Sequence, residues 1–186
     1  MIKRDIDKSA GTLSEQITQM GINDITGLLD WLQKLPYGRN TNRSDFTLVV
    51  DEKTGTCSTK HALVKAVALE NNWPDVDLYI GFFFMSPELF PGLNSIFQNL
   101  TLEGIPEAHT FLVIDNNYTD ITGLTGKVEA EMIVDEMEIQ PEGIGGLKES
   151  VHKGYLMEWA EDEKINLPQD QLWAIREACI KRLSEV

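Results

Sequence analysis

The chain has 186 residues, 42% of them hydrophobic and 25% charged, and carries a formal net charge of −14. That length and apolar content suit one compact domain with a sizeable core and exclude a disordered or low-complexity chain. So acidic a balance repels phosphate backbones and sets nucleic acid aside as a main partner. The longest apolar run, Leu78 to Met85, is far short of the ~20 residues a membrane span requires.

Met1-Ile2-Lys3-Arg4-Asp5 leads into no hydrophobic stretch, so no secretory signal is expected. Asn23 or Asp24 reads as a helix cap, followed by Ile25, Leu28, Leu29, Leu32 and Leu35 at helical spacing, and Pro36-Tyr37-Gly38 stops that helix. Arg39 to Asp45 is polar and loop-like, and Phe46 to Val50 suits a strand or one helical turn. Thr54-Gly55-Thr56 opens a helix from Cys57 to about Glu70. Val76 to Met85 reads as a strand, Ser86 to Pro106 as an irregular connection, and His109 to Ile114 as the clearest strand. Asp115-Asn116-Asn117 is its turn and Tyr118 to Thr122 its return. Lys127 to Ile139 suits another strand with an acidic face. After Gly143-Ile144-Gly145-Gly146, helices are expected near residues 147–162 and 168–184.

The helix after Cys57 is apolar on nearly every face, which places it inside the domain. Its first turn, Cys57-Ser58-Thr59-Lys60, is small and polar, as a pocket floor would be. A thiol there meets the unpaired N–H groups and positive end of the helix, which favour thiolate. The competing reading is a small buried hydrophobe at a helix start. From Lys34 to Lys65 six basic residues face three acids, leaving +3 around Cys57 and −17 elsewhere. That excess would favour a thiolate and a carboxylate-bearing substrate, unless it is only a solvated surface. Cys179 falls on an apolar stripe and reads as core, and two distant cysteines point to a reducing, cytoplasmic setting.

A nucleophilic thiolate needs a base, and the base needs an orienting group. Of the three histidines, His152 reads as solvated on a surface helix, and His61, one turn after Cys57, reads as structural. His109 shares a strand face with Phe111 and Val113 and aims an imidazole across at a helix packed on the sheet. Asp120, which a family resemblance implies as the orienting group, reaches it if the hairpin turns at Asp115-Asn116, which pairs Phe111 with Asp120. A turn at Asn116-Asn117 moves Asp120 another two residues away, and the rival Asp115 stands too far along the strand. The oxyanion donors would be the Cys57 N–H and one further group, with Tyr37 and Asn40 as candidates by chemistry. Arg39 or Arg43 could line the pocket, although solvated loop arginines are the commoner case. No metal-ligand cluster, phosphate loop or dinucleotide fingerprint is present, so no cofactor or metal is expected.

Gly55-Thr56-Cys57-Ser58 opening an alanine- and leucine-rich helix resembles the core helix of the transglutaminase-like superfamily. His109-Thr110-Phe111-Leu112-Val113 resembles its histidine strand, and Tyr118-Thr119-Asp120-Ile121-Thr122 the strand carrying its aspartate. The order, Cys then His then Asp, is the family's, and the resemblance spans roughly Leu35 to Gly123. Ile121 stands where proline is commoner, and Thr110-Phe111 replaces a familiar tryptophan.

The resemblance implies an α+β, papain/transglutaminase-like core: a cysteine-bearing buried helix packed on an antiparallel sheet, with N- and C-terminal helices. One domain over 1–186 is expected, its core about 35–140 and a helical pair about 141–186. It also implies a catalytic triad of Cys57, His109 and Asp120, acting on a peptide, amide or acyl substrate through a thioester. The alternative is a catalytically inactive module that keeps this fold for binding.

Overall fold

The computed structural model describes residues 3–124 and 126–185. Met1, Ile2 and Val186, which belong to the readings of the leader and of the domain ends, lie outside the described residues. The chain begins with α1 (Thr12–Gln19), in a stretch whose apolar spacing did not single it out. Helix α2 (Ile25–Lys34) is capped by Asp24, whose carboxylate accepts from the Gly27 N–H at 2.9 Å, and buries Ile25, Leu28, Leu29 and Leu32. The ambiguous run around Phe46 resolves as a short helix, α3 (Leu48–Glu52).

Helix α4 (Cys57–Glu70) is buried continuously from Cys57 to Ala68, as its apolar sequence requires; Leu69 emerges into solvent. Helices α1, α2 and α3 pack on one side of it and strands β1 (Val76–Met85) and β2 (Ile105–Ile114) on another. The connection between these strands contains the short helix α5 (Asn94–Phe97). Strand β3 (Asn117–Thr119) returns beside β2, and β4 (Asp135–Ile139) closes the far edge. The order is β3-β2-β1-β4, antiparallel throughout, with helices α6 (Gly146–Asp162) and α7 (Gln169–Leu183) completing an α+β fold. Among the described residues no helix is long and apolar enough to cross a membrane.

Three departures from the sequence reading shape the site. Strand β2 starts at Ile105, so His109 sits mid-strand rather than at its start. Pro106 is accommodated because β3 pairs only with Leu112 to Ile114, leaving the outer edge of β2 without a strand partner over residues 105–111 among the described residues. Strand β3 ends at Thr119, one residue before Asp120, because Asp120 turns the chain: its Oδ1 accepts from the N–H and hydroxyl of Thr122, the N–H at 2.8 Å. Of the stretch from Lys127 to Ile139, only Asp135–Ile139 is a strand, preceded by a 3-10 turn at Ala130–Met132.

The hairpin turns at Asp115-Asn116, with φ of 51° and 61°, the left-handed pair of a two-residue hairpin turn. Leu112 therefore pairs with Thr119 and Ile114 with Asn117. Asp115, the rival acid, is held by Arg4 at the distant end of the strand.

Candidate active site

The open edge of β2 is where three elements meet. Thr56 precedes α4, and its N–H donates to the Thr59 hydroxyl at 3.1 Å, closing a capping box that fixes the first turn. Behind it, Gly55 is bridged to Tyr37 in parallel: Gly55 N–H donates to Pro36 and Gly38 N–H to Gly55, each at 3.3 Å. Side chains occupy the room that this glycine leaves: a Cβ there would lie 2.9 Å from the Thr59 hydroxyl, 3.0 Å from Lys60 and 3.1 Å from Val49. Cys57 follows as the first helical residue, its thiol beside His109 and Thr110.

His109 lies on the aromatic face of the sheet, stacked at 15° on Phe111 and edge-on to Phe83, with ring centroids 6.3 and 6.1 Å away. Opposite it in β1 stands Gly81, where a Cβ would lie 2.8 Å from the Phe111 ring. The His109 Nε2 is buried and has no well-aligned hydrogen-bond acceptor among the described residues, but Asp120 Oδ2 stands 3.4 Å from it, an ion-pair distance. Asp120 thus divides its oxygens, one to the Thr122 turn and one towards His109.

His61 braces this arrangement. Its Nδ1–H donates to the Cys57 carbonyl at 2.7 Å, and its Nε2 accepts from the Ile121 N–H at 2.9 Å. Both ring nitrogens are therefore committed with the ring neutral, and burial lowers its pKa to about 4. The 3.4 Å approach of Nε2 to Asp120 Oδ1 is then not an ion pair. Lys60, fully buried, donates to Leu35 O at 2.8 Å and Thr122 O at 2.9 Å, tying the aspartate turn to the end of α2. Gly123 follows at φ +80°, where a side chain would strike Gln33 O.

Burial alone would raise the Cys57 thiol. The Lys148 ammonium, His109 and the Thr110 N–H outweigh it and bring the pKa down to about 6. Burial likewise opposes a charged His109, but Asp120 and Cys57 raise it to about 9. Asp120, despite its burial, is held well below the usual carboxylate range by His109. At neutral pH the site accordingly holds a thiolate, an imidazolium and a carboxylate in sequence.

Comparison with protein-family models, with curated proteins and with solved structures finds no match to this chain.

Several site residues escape a reading of the sequence. Lys148, in the first turn of α6, is 7% exposed and donates to the Ser58 and Thr110 hydroxyls at 2.7 and 2.8 Å, with Cys57 Sγ at 3.9 Å. Its only sequence signal is a cation in a first turn, where the helix dipole disfavours one. His152 is not solvated but buried, and its Nε2–H donates to Pro106 O at 3.0 Å on the open edge of β2. Arg176 of α7 holds Glu107 with two bonds at 2.7 and 2.6 Å, and lowers that carboxyl to about 2 against its burial. Polar residues occupy core positions of α6 and α7, so their apolar periodicity is weak.

The positive excess between Lys34 and Lys65 is largely neutralised within the fold. Lys65 pairs with Asp77 at 3.1 Å, Arg39 makes a bidentate pair with Glu177 at 2.8 and 2.9 Å, and Arg43 meets Glu149 at 3.0 Å. Both arginines line a cavity of about 300 Å³ that Cys57, Ser58, Lys148, Trp173 and Arg176 share. A smaller cavity of about 30 Å³ is lined by His109, Asp120 and Phe83 and shares Cys57 with the larger one. Tyr37 borders both cavities. Asn40 borders neither; its amide donates to Glu52 at 2.8 Å and Thr54 O at 3.0 Å, which removes it as an oxyanion donor. Among the described residues no group of three or more His, Cys, Asp or Glu side chains is placed to hold a metal ion.

Proposed function

We propose that this chain is a cysteine-dependent enzyme of the transglutaminase-like kind, which hydrolyses an amide or transfers its acyl group through a Cys57 thioester. The observation that carries this reading is the convergence of Cys57, His109 and Asp120 at the open edge of β2, with each group held in the charge state the chemistry needs. The helix start beneath Cys57 and the antiparallel sheet beside it also support a papain-like core. Two free cysteines support a reducing, cytoplasmic setting.

In this mechanism the Cys57 thiolate attacks the carbonyl carbon; a C–S bond forms and the carbonyl π pair moves onto oxygen. Collapse restores the carbonyl and breaks the bond to the leaving amine, which takes the His109 proton. Water or an amine then attacks the thioester, gives a proton to His109 and releases the thiolate. Asp120 keeps His109 oriented and charged between these steps. A carboxylate-bearing acyl group would reach Arg39 or Arg43 by exchanging with Glu177 or Glu149.

The test is acylation by p-nitrophenyl acetate, followed by intact-protein mass and nitrophenolate release. The wild type should show a burst and one acetyl group on Cys57, and Cys57→Ala should show neither. Equal, sluggish modification of Cys57 and Cys179 would overturn the reading and leave an inert binding module.

A further inference from the structure

Lys148 is a buried lysine with no acidic side chain within ion-pair distance among the described residues; burial lowers its pKa, and the Cys57 thiolate and then Glu107 oppose that and favour the ammonium. A buried charge is costly unless it is paired. Its neighbours are two neutral hydroxyls, Ser58 and Thr110, and the sulfur of Cys57. The other charged groups near it are committed elsewhere: Glu107 to Arg176, and His109 to Asp120. The thiolate, which His109 also faces, is the anion that stands against its ammonium.

An ammonium has three protons, and the two hydroxyls take two. The third is left for the sulfur side at 3.9 Å. When Cys57 attacks a carbonyl, the negative charge leaves the sulfur and appears on an oxygen two bonds away. A cation that neutralised the thiolate is within reach of that oxygen, and nothing must reorganise for it to follow the charge. The two cavities agree with this division. Lys148 lines the larger one and His109 the smaller, with Cys57 common to both. An acyl carbon bonded to the sulfur would turn its oxygen towards Lys148 and its leaving group towards His109.

Resting on the acyl-transfer reading, we propose that Lys148 is a catalytic residue, the second oxyanion donor beside the Cys57 N–H. The acyl group would then occupy the cavity of about 300 Å³ between the start of α6 and α7.

Two reactions of the same thiolate separate this role from simple thiol activation. Alkylation by iodoacetamide displaces iodide and forms no oxyanion, whereas acylation by p-nitrophenyl acetate forms one. Lys148→Met should raise the pH midpoint of both reactions. Measured well above that midpoint, where Cys57 is fully ionised, alkylation should stay within about threefold of wild type. Acylation should fall roughly 10²- to 10³-fold, the usual cost of one oxyanion donor. Limiting acylation equal to wild type, or a parallel fall in both reactions, would overturn the proposal. Should Lys148→Met fail to fold, Lys148→Ala, which removes both the charge and the donor and leaves room for water, decides it by the same pair of rates. A wild type that forms no acyl-Cys57 sinks the enzyme reading and this one together; a wild type that acylates while the variants keep pace sinks only the role of Lys148.

Discussion

The molecule holds two buried thiols in opposite states. Cys179 lies in an apolar cluster with Leu172, Ile180 and Leu183, and burial pushes its thiol up to about 12. Cys57 is 9% exposed, yet its thiol falls to about 6. Burial acts against the charged form at both sites. What differs is the supply of positive charge and donors: Lys148, His109 and the Thr110 N–H act on one sulfur, while the other lies among apolar side chains, with Glu107 raising it further and Arg176 only partly opposing. A cysteine's reactivity therefore cannot be judged from its depth.

The largest effect should come from disorienting the imidazole. Asp120→Asn leaves His109 without its anion, and acyl transfer should fall roughly 10⁴-fold in burst kinetics, the cost known for such a change in a triad. Next, alkylation at pH 7 should distinguish the two thiols directly. Their pKa values of about 6 and about 12 imply a thiolate ratio on the order of 10⁵. The more basic thiolate is the stronger nucleophile, which brings the rate ratio down to roughly 10²–10³. Peptide mapping after timed iodoacetamide treatment measures it, and equal rates would erase the comparison.

With an amide substrate, whose leaving amine needs the His109 proton, the pH profile of acylation should be bell-shaped. Below about 6 the Cys57 thiolate is lost, and above about 9 the His109 proton is lost, each limb falling about tenfold per pH unit. A profile rising only beyond pH 8 would place Cys57 with Cys179. The smallest effects are on stability. His61→Gln, which cannot satisfy both the Cys57 carbonyl and the Ile121 N–H, should cost about 1–3 kcal/mol in denaturant melts. Alkylation of Cys57 should stay within about twofold. Cys179→Ser should cost a similar amount by burying a hydroxyl among apolar side chains, and should leave acylation unchanged.

Much of this architecture is local and was legible in residue order. The apolar helix from Cys57, a cap at Asn23 or Asp24, the strand from Val76 and a turn within Asp115-Asn116-Asn117 depend on periodicity, capping and turn chemistry that act over a few residues; the structure chose Asp24 and Asp115-Asn116. The turn mattered most, because the register of a two-residue hairpin carries Asp120 back towards His109. The same reasoning misjudges His152, is silent on Glu107 and Lys148, and reads Arg176 only as an alternative to Ile175 on the stripe of Cys179. Their burial comes from partners far away in the chain: 69 residues separate Glu107 from Arg176, and 91 separate Cys57 from Lys148. No local pattern distinguishes such a lysine from a solvated one. The sequence alone determined that a thiol would stand at the mouth of a buried helix, with a histidine strand to follow. Only the tertiary structure, by leaving one edge of β2 open and docking α6 against it, decided which cation would face that sulfur, because charge pairing across a core follows from packing and not from proximity in sequence.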